Sequence, residues 1–384
     1  MTVTVATLGF PRIGPKRELK IALERYWAGK SDKQALLDVA ADLRAKTWAR
    51  QRALGVDHIP SNDFSFYDHV LDTSAMVGAI PSVYGWDGGA VELDTFFAMA
   101  RGAQGEADHA ACGHGGHRHA LDVPAAEMTK WFDTNYHYLV PEVSPDQPFQ
   151  LASTKVIDEF LEAKAQGVLT RPVLLGPVTF LKLAKSKTPD FDPRSRIRDL
   201  LDVYARVLNN LELAGATWVQ IDEPCLVLDL DDIDRATLHD AYRILSRRAP
   251  GVKLMLTTYF GALDDNLETA LALPVAGLHV DLVRGPDQLD RVLANAPAGL
   301  VLSLGVIDGR NVWRTDLERL LAKLEPLLAT NREIILAPSC SLLHTPIDLT
   351  LERNIDHDVR EWLAFAVQKI EELVVLARAL NEGR

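Results

Sequence analysis

Thr217-Trp-Val-Gln-Ile-Asp-Glu-Pro-Cys225 is a short apolar run that ends in two carboxylates and a proline. Similar β-rich runs recur from about residue 170 onward, and amphipathic helical stretches separate them. We predict strands at 172–175, 217–221, 253–257, 277–280, 299–304 and 333–337, and helices at 194–214, 233–248, 263–272, 287–294 and 316–328. Repeated strand–helix units predict a parallel sheet, because parallel neighbours need a crossover helix.

Two more strands are predicted near the amino terminus, around 3–8 and 57–60. The resulting eight strands are the number that closes a (β/α)8, or TIM, barrel, and this α/β fold is our prediction. An open doubly wound sheet is the alternative, but no Gly-x-Gly-x-x-Gly motif follows the first strand. The whole chain, 1–384, is predicted to form one barrel domain.

The segment after the second strand, about 62–168, is too long for a simple crossover and contains helical pieces of its own. We predict an excursion of helices and loops above or beside the strand ends. Within it, residues 102–123 are rich in glycine and alanine and are predicted to be mobile. Further helices are predicted over 16–30, from Ser31 (with Gln34 as its capping-box partner) toward Gly55, and over 357–380.

Bulk composition excludes several classes of protein. The 384 residues carry a net charge of -12, which argues against a broad nucleic-acid surface, because phosphate contacts need clustered Lys and Arg. No apolar run reaches the ~18 residues that span a bilayer, and the first residues lack the features of a secretory signal. Three widely separated cysteines offer no disulfide framework. We expect a cytoplasmic protein with no nucleic-acid or membrane partner.

The opening stretch Thr7-Leu-Gly-Phe-Pro-Arg-Ile-Gly-Pro-Lys-Arg-Glu-Leu-Lys20 crowds four basic residues, Arg12, Lys16, Arg17 and Lys20, around the start of a predicted helix. A helix N-terminus already carries partial positive charge, so cations there are unfavourable unless a bound anion compensates their charge. The pattern therefore predicts a negatively charged ligand.

Sites in such barrels are built at the carboxyl ends of the strands, so polar residues that follow strands are candidates for a site. These are Arg12, Asn62, Asp63, Asp222, Glu223, Thr258, Tyr259, Asp281, Asp308, Arg310, Ser339, Cys340 and Ser341. Neighbouring strand residues point in opposite directions, so only one of Asp222 and Glu223 can readily face the mouth. The sequence leaves open whether these carboxylates bind a ligand or order a loop by accepting backbone hydrogen bonds.

Two further segments have unusual composition. Residues 108–119 hold four histidines and a cysteine, but the glycines around them give no scaffold for zinc. We favour a surface loop with adventitious metal affinity and predict no metal ligand there. Residues 130–138, Lys-Trp-Phe-Asp-Thr-Asn-Tyr-His-Tyr, are typical either of a cleft wall or of a small satellite core. Lys130 is a candidate to join the opening basic cluster around one anion.

These motifs together resemble the N-terminal half of cobalamin-independent methionine synthase. The resemblance rests on residues 7–14, 17–20, 127–138, 221–224 and 337–344, and it covers essentially the whole chain. It implies a protein of two face-to-face (β/α)8 barrels that transfers a methyl group from 5-methyltetrahydrofolate polyglutamate to homocysteine, making methionine. It also implies that Arg17, Glu18, Leu19, Lys20 and Lys130 bind the polyglutamate tail, whose carboxylates suit the electropositive helix start.

The family's zinc site and homocysteine pocket lie in a C-terminal barrel, and this chain ends before it. Zinc matters there because it binds the homocysteine sulfur as a thiolate, the nucleophilic form. In this chain only Cys340 and Asp281 are comparable ligands, which is too few for a zinc site. We therefore expect no catalytic residue, metal or cofactor in this chain, and we expect zinc in the C-terminal barrel of the same polypeptide.

Our lead hypothesis is the folate-binding N-terminal barrel of that methyltransferase, a part of the enzyme that is inactive alone. A free-standing folate-binding or regulatory module is one alternative. Another is an independent barrel enzyme that uses Asp222, Glu223 and Asp281 for acid/base chemistry.

Overall fold

A computed structural model describes residues 2–103 and 122–383, and its central feature is an eight-stranded parallel sheet in the order β1-β10-β9-β8-β7-β6-β5-β2. The strands are β1 Val3–Val5, β2 Pro60–Ser61, β5 Arg171–Leu175, β6 Trp218–Asp222, β7 Lys253–Thr257, β8 Gly277–Asp281, β9 Val301–Ile307 and β10 Ile334–Pro338. Ala6 pairs in parallel with His58, which joins β1 to the segment before β2 and closes the sheet. The predicted barrel is confirmed, and the open sheet is excluded.

Helices surround the barrel and fill most of the connections. They are Glu18–Trp27, Lys33–Leu54, His69–Val77, Leu93–Arg101, Lys155–Ala165, Pro177–Leu183, Ile197–Ala214, Asp232–Arg248, Leu267–Ala272, Leu289–Asn295, Leu317–Leu324, His357–Arg360 and Ala366–Glu382. Within the described ranges, none of them is long and apolar enough to cross a membrane.

Two helix predictions need correction. The helix Lys33–Leu54 is capped by Asp32, whose carboxylate accepts the Ala35 N–H at 2.8 Å, so the predicted Ser31 capping box is wrong. The predicted continuous helix over 357–380 is two helices with a break at 361–365. The break forms because Ala364 N–H donates to the Val312 carbonyl, so this segment pairs with the loop after β9 instead of continuing the helix.

Several apolar clusters support the barrel. Its interior holds a cluster that includes Met255, Val301 and Ile335, while a much larger cluster fills the space between the strands and the outer helices. A third cluster joins the first two helices to the helix Leu93–Arg101, where the tilted rings of Tyr26 and Phe97 are in contact with centroids 5.7 Å apart. The segment between β2 and β5 therefore has a satellite core beside the barrel.

That segment also carries an antiparallel hairpin, β3 Met128–Lys130 and β4 His137–Leu139, and then the crossover helix Lys155–Ala165. The hairpin turn reaches over the barrel mouth. Its Asp133 accepts from Arg284 at 2.6 Å and from Arg310 at 2.7 Å, and these arginines lie in the loops after β8 and β9. The predicted loop at 102–123, including the histidine-rich part at 108–119, lies almost wholly outside the described residues.

Candidate functional site

A cleft lies at the carboxyl ends of the strands, beneath the hairpin turn. Its polar and aromatic lining comprises Arg12, Asn62, Asp63, His69, Asp72, Thr73, Trp131, Tyr136, Ser153, Lys155, Asp222, Tyr259, Phe260, Ser341 and His344. Several strand-end candidates therefore converge here, and part of the 130–138 segment forms a cleft wall.

Asp222 and Glu223 have separate roles. Asp222 lines the cleft, where its Oδ1 accepts from Gln220 Nε2 at 2.8 Å and its Oδ2 accepts from the Tyr259 hydroxyl at 3.1 Å. Glu223 is fully buried and accepts the backbone N–H groups of Val178 and Thr179 at 3.2 and 2.7 Å. Glu223 thus orders the start of the helix after β5, and Asp222 is the carboxylate available to a ligand.

Asp281 is also a structural carboxylate. It accepts backbone N–H groups from Phe260 at 3.0 Å, Val283 at 2.9 Å and Arg284 at 2.8 Å, and it is almost fully buried. Geometry therefore argues against acid/base chemistry by Asp222, Glu223 and Asp281 together, because Glu223 binds a helix start, Asp281 binds loop N–H groups, and neither lines the cleft.

Lys155 and Arg12, two cations that line the cleft, already have hydrogen-bond or ion-pair partners. Lys155 Nζ contacts Asn62 Oδ1 at 2.8 Å and the Phe64 carbonyl at 2.6 Å, and it forms ion pairs with Asp72 and Glu159 at 3.4 and 3.2 Å. The Arg12 guanidinium donates to the Tyr67 carbonyl and, at 3.4 Å, to the Tyr136 hydroxyl.

Burial shifts the titration of several cleft groups. It raises the pKa of Asp222 to about 7, because the charged carboxylate loses solvation; its hydrogen bonds with Gln220 and Tyr259 oppose the shift. Burial lowers the pKa of His69 to about 3 and that of His344 to about 4. Both imidazoles are therefore neutral near pH 7 and add no positive charge to the cleft.

Three non-glycine residues at or beside this cleft have left-handed backbone conformations. Asn62 has φ 63°, Phe132 has φ 51° and Phe260 has φ 77°. Such conformations cost non-glycine residues on the order of 1–3 kcal/mol and persist only where the surroundings hold them. The Asn62 amide is held by the Val173 carbonyl at 2.7 Å, and the Phe260 N–H is held by Asp281. The sequence offered no signal for this strain.

The predicted tail-binding residues lie apart from the cleft, and none of them is among its lining residues. Arg17 is exposed and precedes the first helix in a left-handed conformation (φ 61°), while Lys20 pairs with Glu24 at 3.6 Å. Glu18 accepts the Lys16 N–H at 2.8 Å. The side chain of Leu19 is 2% exposed and belongs to the satellite core, so it is an anchor for the helix.

Lys130 is exposed on β3, opposite His137. The hairpin and the first helix are linked through the helix Leu93–Arg101: Ala126 N–H donates to the Met99 carbonyl, and Phe97 packs on Tyr26. Arg17, Glu18 and Lys20 share the start of the first helix. Lys130 lies on the hairpin, a different element that contacts the same satellite core.

The described residues contain no group of three or more His, Cys, Asp or Glu that could hold a metal ion. Cys340, the best candidate from the sequence, is buried, and burial raises the pKa of its thiol. Structural and catalytic zinc sites use three or four protein ligands, and no such group surrounds Cys340 within the described ranges. The histidine-rich segment is outside the described ranges.

Comparison with known proteins gives a consistent result. The family model described as "Cobalamin-independent synthase, N-terminal domain" matches residues 4–332. A 5-methyltetrahydropteroyltriglutamate–homocysteine methyltransferase from Caulobacter vibrioides is 68% identical over 388 residues, and one from Nitrobacter winogradskyi is 63% identical over 384 residues. The matches cover 100% and 99% of this chain but 50% of each relative, so the chain spans about half their length.

Solved structures share the fold at low sequence identity. A candidate vitamin-B12-independent methionine synthase from Listeria monocytogenes gives a TM-score of 0.64 at 13% identity and covers 99% of both chains. A B12-independent methionine synthase from a Shewanella species gives a TM-score of 0.60 at 13% identity, covering 99% of this chain and 97% of that one. At this identity the comparison supports the fold alone.

Proposed function

We propose a function for this chain from the premise that it belongs to the cobalamin-independent methionine synthase family, in which it corresponds to the N-terminal domain. Its curated relatives are named for methyl transfer between 5-methyltetrahydropteroyltriglutamate and homocysteine. Our proposal is that this barrel binds the triglutamate tail of that methyl donor and forms one wall of the donor's site.

The observation that carries the proposal is the pair of exposed cations, Arg17 and Lys20, at the start of the helix Glu18–Trp27. The first backbone N–H groups of a helix point toward its N-terminal end and favour anions there. A triglutamate tail brings several carboxylates, so it can meet the guanidinium, the ammonium and the helix end at once.

The other proposed contacts have different roles. The side chain of Leu19 is buried and its N–H donates to the Ile13 carbonyl at 3.1 Å, so Leu19 fixes the helix start against the preceding loop. Glu18 binds the Lys16 N–H, which draws its carboxylate toward the preceding loop. Lys130, exposed on β3, would add a second point charge from the hairpin side.

Methyl transfer itself requires groups beyond this barrel. We propose that residues 1–384 form one domain and that the chemistry belongs to a C-terminal barrel of the same polypeptide, acting in the cytoplasm. Zinc held in that barrel would supply an activated homocysteine thiolate. In support, Asp281 accepts three backbone N–H groups, and the described residues place no group of three or more possible metal ligands around it or Cys340.

The test is the affinity of this chain for triglutamylated and monoglutamylated 5-methyltetrahydrofolate, measured by calorimetry. We expect the triglutamate to bind more tightly, and Arg17→Ala, Lys20→Ala and Lys130→Ala each to weaken its binding by about 1–3 kcal/mol. Added salt should reduce the difference between the ligands, because the contacts are exposed. Lys30→Ala, an exposed lysine beyond the far end of the same helix, is the matched control. Equal affinity for the two ligands would refute the proposal.

A further inference from the structure

We propose that the cleft at the barrel mouth binds a second kind of ligand, a small molecule with a protonated primary amine, and that Asp222 is its ammonium-binding group. The proposal concerns a surface separate from the proposed tail site, since the tail-binding residues do not line the cleft. Three observations support it: the hydrogen bonds around Asp222, the existing partners of the neighbouring cations, and the aromatic side chains beside Asp222.

Asp222 retains unused acceptor capacity on the cleft side. A carboxylate has about four acceptor positions, and the described contacts use one on each oxygen, from Gln220 and from Tyr259. An ammonium group offers three donors, which suits the remaining positions. Asp222 is half-buried on the cleft lining, so a bound ammonium would be shielded from solvent.

A buried arginine fixes the orientation of these groups. Arg171 is 2% exposed inside the barrel, and its Nη2 donates to Gln220 Oε1 at 3.0 Å. Because an arginine can only donate, Gln220 must present its oxygen to Arg171 and its NH2 group to Asp222. Asp222 Oδ1 is therefore held as an acceptor.

Arg171 is itself under-satisfied, because its Nε and Nη1 have no hydrogen-bond partner among the described residues. This buried and partly satisfied cation stabilises negative charge on Asp222, to which it is linked through the Gln220 amide rather than by a direct hydrogen bond. The arrangement keeps a carboxylate at the cleft wall without filling the acceptor positions that face the ligand.

The other charged groups of the cleft do not neutralise Asp222. Lys155 is held by Asn62, Phe64, Asp72 and Glu159, and His69 and His344 have depressed pKa values and are neutral. No ion pair to Asp222 is found among the described residues, and burial raises its pKa to about 7 despite the charge of Arg171 nearby. A ligand ammonium would supply the missing cation.

Beside Asp222 the cleft has an aromatic wall, formed by Tyr136, Phe260 and His344. The His344 ring centroid lies 6.1 Å from that of Tyr136 and 5.7 Å from that of Phe260, in edge-to-face arrangements. Arg310 lies over Phe260, with its guanidinium carbon 5.2 Å from the ring centroid. An apolar chain attached to the amine can pack on this wall and add hydrophobic binding energy.

Two sources share this chemistry, a simple alkylamine and an α-amino acid. Arg12 lines the same cleft and would favour the amino acid if it also contacts a carboxylate. Butylamine, norvaline and pentanoate separate the two, because they are the decarboxylated, complete and deaminated forms of one molecule.

Each probe would be titrated into the full chain at pH 8, where Asp222 is ionised, and followed by calorimetry and by NMR of the tryptophan side chains. We expect butylamine and norvaline to bind competitively, and pentanoate to bind about tenfold more weakly or not at all. Tighter binding of norvaline than of butylamine would assign the site to an amino acid, and the reverse would assign it to an amine. Equal binding of pentanoate, or no binding of either amine, would overturn the proposal.

Asp222→Asn tests the residue directly, since it keeps the shape and removes the charge. We expect binding of butylamine to weaken about tenfold or more. Asp240→Asn, at an exposed aspartate paired with Arg243, is the control and should bind as the wild type does. Unchanged binding in a folded Asp222→Asn variant would contradict the assignment. If that variant does not fold, the wild-type selectivity between butylamine and pentanoate decides alone.

Discussion

The start of the first helix and the cleft at the barrel mouth both concentrate charge, but they do so under opposite conditions. At the helix start, Arg17 and Lys20 are exposed, and the ion pair of Lys20 with Glu24 is long at 3.6 Å. In the cleft, charged groups are half-buried, and Lys155, for example, is bound by Asn62, Phe64, Asp72 and Glu159. Exposed pairs add little to stability, whereas a buried group that loses its partner is costly. The helix start is therefore free to serve binding, while the cleft network also serves the fold.

The largest expected effect is a loss of stability on substitution of Glu223, which lies behind the cleft. Glu223→Ala removes the acceptor for Val178, Thr179 and the Tyr242 hydroxyl, and it leaves three buried donors unpaired. We expect a loss of about 3–5 kcal/mol in the free energy of unfolding, measured by urea denaturation. Glu223→Gln keeps an acceptor oxygen and should lose less. A loss below about 1 kcal/mol for the alanine variant would show that this network does not support the barrel.

The second expected effect is a pH dependence of the free energy of unfolding, caused by Asp222. Its pKa is raised from 3.8 to about 7 in the folded protein, so the native state binds a proton more tightly than the unfolded state does. Its contribution to stability is therefore greatest below about pH 4, falls as pH rises toward 7 and is lost above that. Urea denaturation between pH 4 and 8 should show a steeper decline for the wild type than for Asp222→Asn. Parallel curves would mean that Asp222 is solvated like an exposed carboxylate.

The sequence predicted the barrel well and the cleft only in part, for physical reasons. Runs such as 253–257 are apolar, are flanked by helices and match β7 to the residue, because local pattern decides a buried parallel strand. The alternation of side chains along a strand predicted that only one of Asp222 and Glu223 faces the mouth, but it did not identify which one. The hairpin wall at Trp131 and Tyr136 depends on contacts far apart in sequence. Arg171 and Gln220 are polar residues in otherwise apolar strands, and this pattern indicates a polar network inside the barrel.

A smaller effect is expected where the two regions share an element, the hairpin. Asp133→Asn weakens the ion pairs with Arg284 and Arg310, which are partly exposed to solvent. We expect a stability loss of about 0.5–1 kcal/mol or less. Hydrogen exchange at the turn between β3 and β4 should nevertheless accelerate, because these pairs hold the turn over the mouth. Unchanged exchange would indicate that Trp131 packing alone fixes the turn, and Asp240→Asn serves as the surface control.

The smallest expected change in stability is at Arg17, and it has the opposite sign. Arg17 holds a left-handed conformation (φ 61°) that glycine adopts without a steric cost, so Arg17→Gly should stabilise the fold slightly, by about 0.5 kcal/mol. The same change removes a guanidinium from the proposed tail site and should weaken triglutamate binding. Thermal unfolding and calorimetry on one variant measure both. A strained cation whose removal improves folding and impairs binding is maintained for its ligand; a variant that loses stability and binds normally would instead give Arg17 a structural role.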